Sequence, residues 1–419
     1  MKSNSFFLFF DVIFTNKIDM HLIKNGLILA LTILLAIDFS YAGNKDDEGY
    51  KFQLIKEIRH TPVKNQYRSS TCWSFAGMSF FEAEMLRMGK PEVSLSEMFE
   101  VNMCYRDKAP KYVRMQGNTN FGPGGVLYDD LYVADKYGLV PESVYPGIKY
   151  DEEKHVHGEM DDVLRKMLVA VAENKNRKIT PVWQEAVNST IDAYLGIVPQ
   201  SFKYEGKDYT PKTFASDFCG IDANNYVQIT SFSHHPFYEQ FVLEVPDNWL
   251  WSEFYNVPID ELQEIVDFSI DKGYTVLWAA DTSEKGFATT QKGIAVVPDK
   301  TPLNMTGAEI AKWDSLSEKD KESALYKFDK PAKEKVITQE IRQMAFDSQE
   351  TTDDHAMHLV GLAKDQNGAI YYKVKNSWGE YNDLKGYFYA SQPYFRYKTT
   401  AIVVNKAAIP EAIRKKLKL

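Results

Sequence analysis

Short stretches of this chain carry residue types that could do chemistry together. Gln66 and Cys72 lie near the front, and Asp354-His355 and Asn376-Ser377-Trp378-Gly379 lie near the back. A thiol, an imidazole, an amide oxygen that fixes the imidazole tautomer and an amide donor for an oxyanion can break an acyl bond through a thioester. Each residue alone says little. A lone Cys is usually a small buried apolar residue, a loop Gln is usually solvated, and Asn-Ser-Trp-Gly is an ordinary turn. Their order and flanking residues make the combination specific.

Local structure must position these groups. Trp73 to Gly89 reads as a helix with Cys72 immediately before it, and Gly89 ahead of Pro91 as the stop. A thiol there feels unpaired N–H groups and the positive end of the helix dipole, which lower its pKa from about 8.5. This predicts a thiolate–imidazolium pair poised before substrate arrives. Gln66 can fold back beside the thiol, with the Cys72 backbone N–H as second oxyanion donor. Ser94-Leu95-Ser96-Glu97 offers a cap for a second helix through Val101. Gly122 to Gly125 reads as a loop, and Val126 to Tyr137 as a helix ending at Gly138.

Asp354 to Gly361 reads as a strand entered from a polar turn. Side chains alternate, so His355 and His358 point to opposite faces and only one can be the base. His355, at the strand start, can reach a cleft; His358, between Met357 and Leu359, reads as a satisfied packing histidine. The Asn367-Gly368 turn leads into a partner strand, Ile370 to Asn376, that brings Asn376 to the imidazole. Trp378 can then shield that hydrogen bond from water.

The chain has 419 residues, 44% apolar and 14% aromatic, enough for a large core and more than one structural unit. A formal charge of −9 argues against a nucleic-acid partner. Three cysteines do not make a disulfide scaffold. Cys104 and Cys219 read as buried hydrophobes, with a bridge between them as the alternative. Residues 1–42 read as a leader. The apolar run Gly26 to Ile37 is too short to span a membrane and is followed by Ser40-Tyr41-Ala42, a small-x-small cleavage signature. A start at Met20 makes 20–42 a compact secretory signal. The mature protein would then be periplasmic or secreted, without stable membrane insertion.

Beyond the leader, 43–150 is a helical stretch bearing the nucleophile and 151–235 a mainly helical insertion. Core strands return over 236–298, a second helical excursion covers 299–350, a β lobe with His355 and Asn376 covers 351–405, and 406–419 is a tail. Strand-like runs occur at Tyr226–Ser231, Phe241–Val245 and Tyr274–Ala280.

These residues resemble the papain superfamily of cysteine peptidases. The likeness rests on Gln66, on Cys72-Trp73, on His355 and on Asn376 within Lys375-Asn376-Ser377-Trp378-Gly379, with Leu95-Ser96-Glu97 and Gly124-Gly125 also fitting. The resemblance implies an α+β, two-lobed fold: helices led by the Cys72 helix, a β-barrel-like lobe carrying His355 and Asn376, and a cleft between them. It also implies that Gly124 and Gly125 hydrogen-bond the substrate backbone, that Trp378 lies in the binding cleft, and that the chemistry needs no metal or organic cofactor.

Departures narrow the branch. Ser69 stands where the family places a disulfide Cys, and Ser70-Thr71 replaces the usual Gly-Ser. His355 follows Cys72 by 283 residues, where cathepsin-type chains need about 130–150. The excess matches the helical insertions. This resembles the bleomycin hydrolase and aminopeptidase C branch, with further likeness at Thr190–Gln200, Tyr137–Pro141, Tyr255–Pro258 and Lys385–Tyr387. The branch implies peptide substrates, aminopeptidase-type hydrolysis and a homohexameric ring. An endopeptidase of the same fold and a silent peptide-binding or chamber-forming homologue are the alternatives. Ile409 to Leu419 reads as a basic amphipathic tail instead of the branch's small-residue C-terminal arm.

Overall fold

A helix runs from Cys72 to Arg87, and every side chain from Trp73 to Leu86 is buried. The helix is enclosed on every side, with Glu82 and Glu84 buried among its apolar residues, and it lies against the middle of a large sheet. Cys72 is its first residue, not the residue before it. Gly89, at φ +73°, closes the helix in the left-handed region as the stop signal requires. The computed structural model describes residues 49–149, 153–175, 178–299 and 306–419. The expected signal segment 1–42, including a start at Met20, lies outside the described residues.

The second helix spans Glu97–Arg114, with Ser96 accepting from the Phe99 N–H at 3.1 Å as its N-cap. It continues past Val101, the expected end, because Cys104, Tyr105, Lys108, Ala109 and Tyr112 extend the buried stripe. Pro110 sits inside its last part without ending it. A third helix, Tyr128–Lys136, follows the Gly122–Gly125 loop. Helices Gly158–Ala172 and Val182–Leu195 bury Met160, Leu164, Leu168 and Val187, Ile191, Leu195, an apolar row every four residues on each. A small hairpin, Phe202–Tyr204 with Lys207–Tyr209, follows them and was not foreseen from sequence.

The remaining strands form one sheet. In chain order they are β1 (Gln53–Glu57), then, with the hairpin as β2 and β3, β4 (Tyr226–Thr230), β5 (Gln240–Val242), β6 (Glu253–Asn256) and β7 (Val276–Ala280). Next come β8 (Phe287–Ala288), β9 (Ile294–Ala295), β10 (His355–Lys364), β11 (Ile370–Lys375), β12 (Tyr387–Ser391) and β13 (Thr399–Asn405). The spatial order is β5-β6-β4-β13-β7-β10-β11-β12-β9-β8, with β1 also on β10. Most neighbours are antiparallel, but β12–β9 and β4–β6 are parallel. The predicted β10–β11 hairpin is present, with Gly368 at φ +85° in its turn.

A helix, Gln392–Lys398, interrupts the block expected to alternate as sheet alone; Ser391 caps it by accepting from the Tyr394 N–H at 3.1 Å. Helices Gly307–Asp314, Glu318–Leu325 and Gln339–Asp347 fill the second charged excursion. The chain's last helix, Glu411–Leu417, buries Ile413 and Leu417 in the core on the far side of the sheet from the Cys72 helix, a core shared with Trp278 and Ile402. Cys104 and Cys219 are buried and unpaired, so the alternative bridge is not formed. No helix of the described residues is long and apolar enough to cross a membrane. The architecture is α+β.

Candidate active site

The loop before the Cys72 helix is held by one antiparallel bridge and its two hydrogen bonds. Asn65 bridges to Trp378, and Gln66 N–H donates to the Ser377 carbonyl at 2.8 Å, while Gly379 N–H donates to the Lys64 carbonyl at 3.0 Å. The front motif is thereby fastened to the back one. Ser377 Oγ donates to Gln66 Oε1 at 2.6 Å, which leaves the amide's Nε2 donor for the cleft that Gln66 lines. Tyr67 and Ser70 take left-handed backbone (φ 48° and 56°), so the loop between Gln66 and Cys72 turns back sharply.

The helix N-terminus is not capped by a side chain. The Thr71 hydroxyl instead pairs with Ser69 Oγ at 2.6 Å, so the first N–H groups remain for whatever binds at Cys72. Ser69 therefore takes up, with a hydrogen bond, a place where the resemblance implies a disulfide. The Ala356 N–H donates to Cys72 Sγ at 3.5 Å, which sets the thiol beside the residue that follows His355.

His355 Nε2–H donates to Asn376 Oδ1 at 2.8 Å, and both residues are buried. Asn376 Oδ1 also accepts the Ser377 N–H at 2.8 Å, and its Nδ2 donates to Tyr381 Oη at 3.1 Å, so the amide is fixed at both ends. The Trp378 ring lies 4.9 Å from the imidazole, tilted by 32°. With Nε2 engaged, Nδ1 is the nitrogen available to Cys72. His358 faces elsewhere: its Nδ1 lies 2.9 Å from Ser79 Oγ, behind the site. Its Nε2 has no hydrogen-bond partner among the described residues, so it packs as expected but is only half satisfied.

Gln66, Cys72, Gly124, Gly125, His355 and Trp378 line one cleft of about 510 Å³, with Asn376 directly behind His355. Trp73 Nε1–H donates to the Pro123 carbonyl at 2.9 Å, and Lys108 Nζ donates to the Gly122 carbonyl at 3.1 Å, tying the glycine loop to the nucleophile helix and to the Glu97–Arg114 helix. Glycine is required there: a Cβ on Gly124 would sit 2.1 Å from Asp247 Oδ2, and one on Gly125 would sit 2.4 Å from Asp129 Oδ2.

The electrostatics depart from expectation. Burial pushes the Cys72 thiol up to about 12, with the Ala356 N–H pulling back, and burial pushes His355 down to about 4, with Asn376 opposing. Taken one at a time, both groups are pushed toward their neutral forms, so desolvation works against the ion pair expected from the helix dipole.

Sequence reasoning missed the acids of the cleft. Asp247 and Asp353 join Asp354 in its lining, and Asn120 Nδ2 donates to Asp247 Oδ1 at 2.6 Å. Burial, then the neighbouring Asp247, push Asp353 up to about 7, while Thr400 Oγ1 donates to it at 3.1 Å. The Asp353-Asp354-His355 run was the available signal for one side. Asp247 had none, because its segment carries no motif.

Comparison with known proteins follows this geometry. The profile of the Peptidase C1-like family matches residues 124–298 and 306–419. Aminopeptidase C of Lactococcus lactis subsp. cremoris is 25% identical over 93% of this chain and 88% of its own length, which takes in the front motif as well. Bleomycin hydrolase of Rattus norvegicus is 24% identical over 86% of this chain and 84% of its own. The crystal structure of PepW from Lactobacillus rhamnosis HN001 superposes with a TM-score of 0.66 at 20% identity, covering 96% of this chain and 95% of that one, and so shares the fold. A profile match over most of the chain, with a cysteine, a histidine and an asparagine around one cleft, leads to one conclusion: the chain belongs to the Peptidase C1-like family and is a cysteine-type peptidase.

Proposed function

We propose that the chain is an aminopeptidase, cleaving the first residue from peptides with a free N-terminus. The observation that carries this reading is the acidic wall of the cleft. Asp247, Asp353 and Asp354 share the lining with Cys72 and His355, so a substrate α-ammonium meets carboxylates close to the nucleophile. The names of the relatives, aminopeptidase C and bleomycin hydrolase, support it.

In this reading the Cys72 thiol passes its proton to His355 Nδ1 as sulfur attacks the carbonyl carbon. Gln66 Nε2 and the Cys72 N–H stabilise the oxyanion. Asn376 holds the imidazolium by its Nε2–H. His355 then protonates the leaving amine, the C–N bond breaks and a thioester remains. Water attacks that thioester while His355 takes its proton, and collapse returns the thiol and releases the amino acid. Gly124 and Gly125 run beside the substrate backbone, and Trp378 screens the His355–Asn376 bond.

The test is hydrolysis of a fluorogenic peptide with a free N-terminus and of its N-acetyl counterpart, by the parent and by Asp247→Asn. Cleavage of the free peptide alone, weakened in the variant, supports the reading. Equal cleavage of the blocked peptide overturns it in favour of an endopeptidase. We further propose export through the 20–42 segment and a homohexamer. N-terminal sequencing of the mature protein and sedimentation analysis test these.

A further inference from the structure

Away from the cleft, two adjacent histidines converge on one carboxylate. His234 Nε2 lies 3.1 Å from Glu244 Oε2, and His235 Nε2 lies 3.1 Å from Glu244 Oε1. All three ligand atoms lie within 4.8 Å of one another. Neighbours in sequence ordinarily diverge, so this convergence needs a cause, and the loop backbone supplies it. The buried Asn256 side chain accepts the Phe232 N–H at 2.9 Å and donates to the Phe232, His235 and Pro236 carbonyls at 2.7, 3.0 and 3.2 Å. Gln343 Oε1 accepts the Ser233 N–H at 2.6 Å. The rings are fixed as well: Phe241 stacks on His235 at 4.2 Å, and Phe346 stacks on His234 at 5.9 Å.

We infer that His234, His235 and Glu244 form a binding site for a divalent transition-metal ion of the zinc type. Zinc takes imidazole nitrogen and carboxylate oxygen at about 2.0–2.2 Å, which spaces tetrahedral ligand atoms by about 3.3 Å. The two N···O separations already sit near that edge length, so the carboxylate stands where an ion can replace its two hydrogen bonds to the imidazoles. A fourth position remains open to water, because Glu244 and His235 are solvent-facing. Metal on Nε2 puts the imidazole proton on Nδ1. For His234 that nitrogen faces the Gln343 amide, with Nε2 at 3.1 Å and Oε1 at 3.4 Å, so the amide has to turn its oxygen toward Nδ1 to become the ligand's outer partner. Two imidazoles and a single carboxylate favour zinc-like ions over magnesium or calcium, which prefer all-oxygen shells.

This inference does not rest on the peptidase reading, and its test separates the two. Zinc also binds thiols, so the full chain is prepared untagged as Cys72→Ala, which removes the cleft's own sulfur ligand. Zinc is titrated against a chromophoric chelator, and cobalt is used as a spectroscopic stand-in. One zinc per chain, a melting temperature raised by zinc and tetrahedral-type cobalt absorption are expected. His234→Ala/His235→Ala should abolish all three, and Gln343→Ala should weaken binding about 10–100-fold. Glu244→Gln, which keeps side-chain shape on an exposed position, gives the same reading if the double variant does not fold: it should weaken zinc more than Gln343→Ala does. Absent zinc uptake, or uptake unchanged in Glu244→Gln, overturns the inference.

Discussion

Replacing Asn376 by Ala isolates the group that orients the base. The substitution removes the acceptor of the 2.8 Å bond from His355 Nε2 and also orphans the Ser377 N–H, which shares the same oxygen. During turnover His355 becomes an imidazolium, and a hydrogen bond to a charged donor is worth about 1.5–3 kcal/mol net. At about 1.4 kcal/mol per tenfold, kcat/KM for a free-N-terminus substrate should fall about 10–150-fold, mainly in kcat. The direction is reinforced by acidity. Asn376 raises His355 against the larger lowering effect of burial, so its removal pushes the imidazole further below its ordinary value and makes the proton transfer from Cys72 harder. The orphaned groups should cost about 1–3 kcal/mol of folding stability, read as a lower melting temperature. Asn376→Asp restores an acceptor and adds a negative charge beside His355, so it should recover part of kcat. Steady-state kinetics and a thermal melt of both variants decide the matter. A kcat/KM within twofold of the parent in Asn376→Ala would refute the orienting role.

Three further outcomes are expected. Cys72→Ala should lose all hydrolysis while melting with the parent, and residual turnover above the uncatalysed rate would exclude Cys72 as nucleophile. Asp353 is pushed up to about 7, so it is neutral below that pH and anionic above it. KM for a peptide with a free N-terminus should therefore fall as pH rises from about 6 to about 7.5, below the α-amino pKa of about 7.7–8.0, and that fall should be lost in Asp353→Asn. Gly124→Ala brings a Cβ within 2.1 Å of Asp247 Oδ2, so it should displace that carboxylate and raise KM, at a strain of about 1–3 kcal/mol. An unchanged KM there would show that the Asp247 position does not matter to binding.

What was legible in the sequence were the residues whose neighbours in the chain are also their neighbours in space. The Cys72 helix, its Gly89 stop, the Ser96 cap and the β10–β11 hairpin are local, so pattern and turn chemistry expose them. The helix Gln392–Lys398 was hidden because Tyr394, Phe395 and Tyr397 are as common in strands as in buried helices, and only Ser391 and Pro393 mark its start. The acids of the cleft were hidden for a different reason. Asp247 reaches Cys72 across 175 residues of chain, and no local pattern records such a meeting. The burial of the thiol is a further case: a helix terminus can be read from sequence, but the desolvation that opposes its effect depends on tertiary packing.

The placement of β13 bears on how the protein is made. Thr399–Asn405 inserts between β4 and β7, and β7 in turn flanks the strand that carries His355. The ribosome delivers Cys72 early and β13 more than three hundred residues later, so the sheet beneath the nucleophile stays open during most of synthesis. A nascent chain therefore carries a thiol and Gln66 long before His355 and Asn376 are made. The sheet that seats His355 is completed only when this last strand pairs with β4 and β7, so the site is assembled at the end of synthesis.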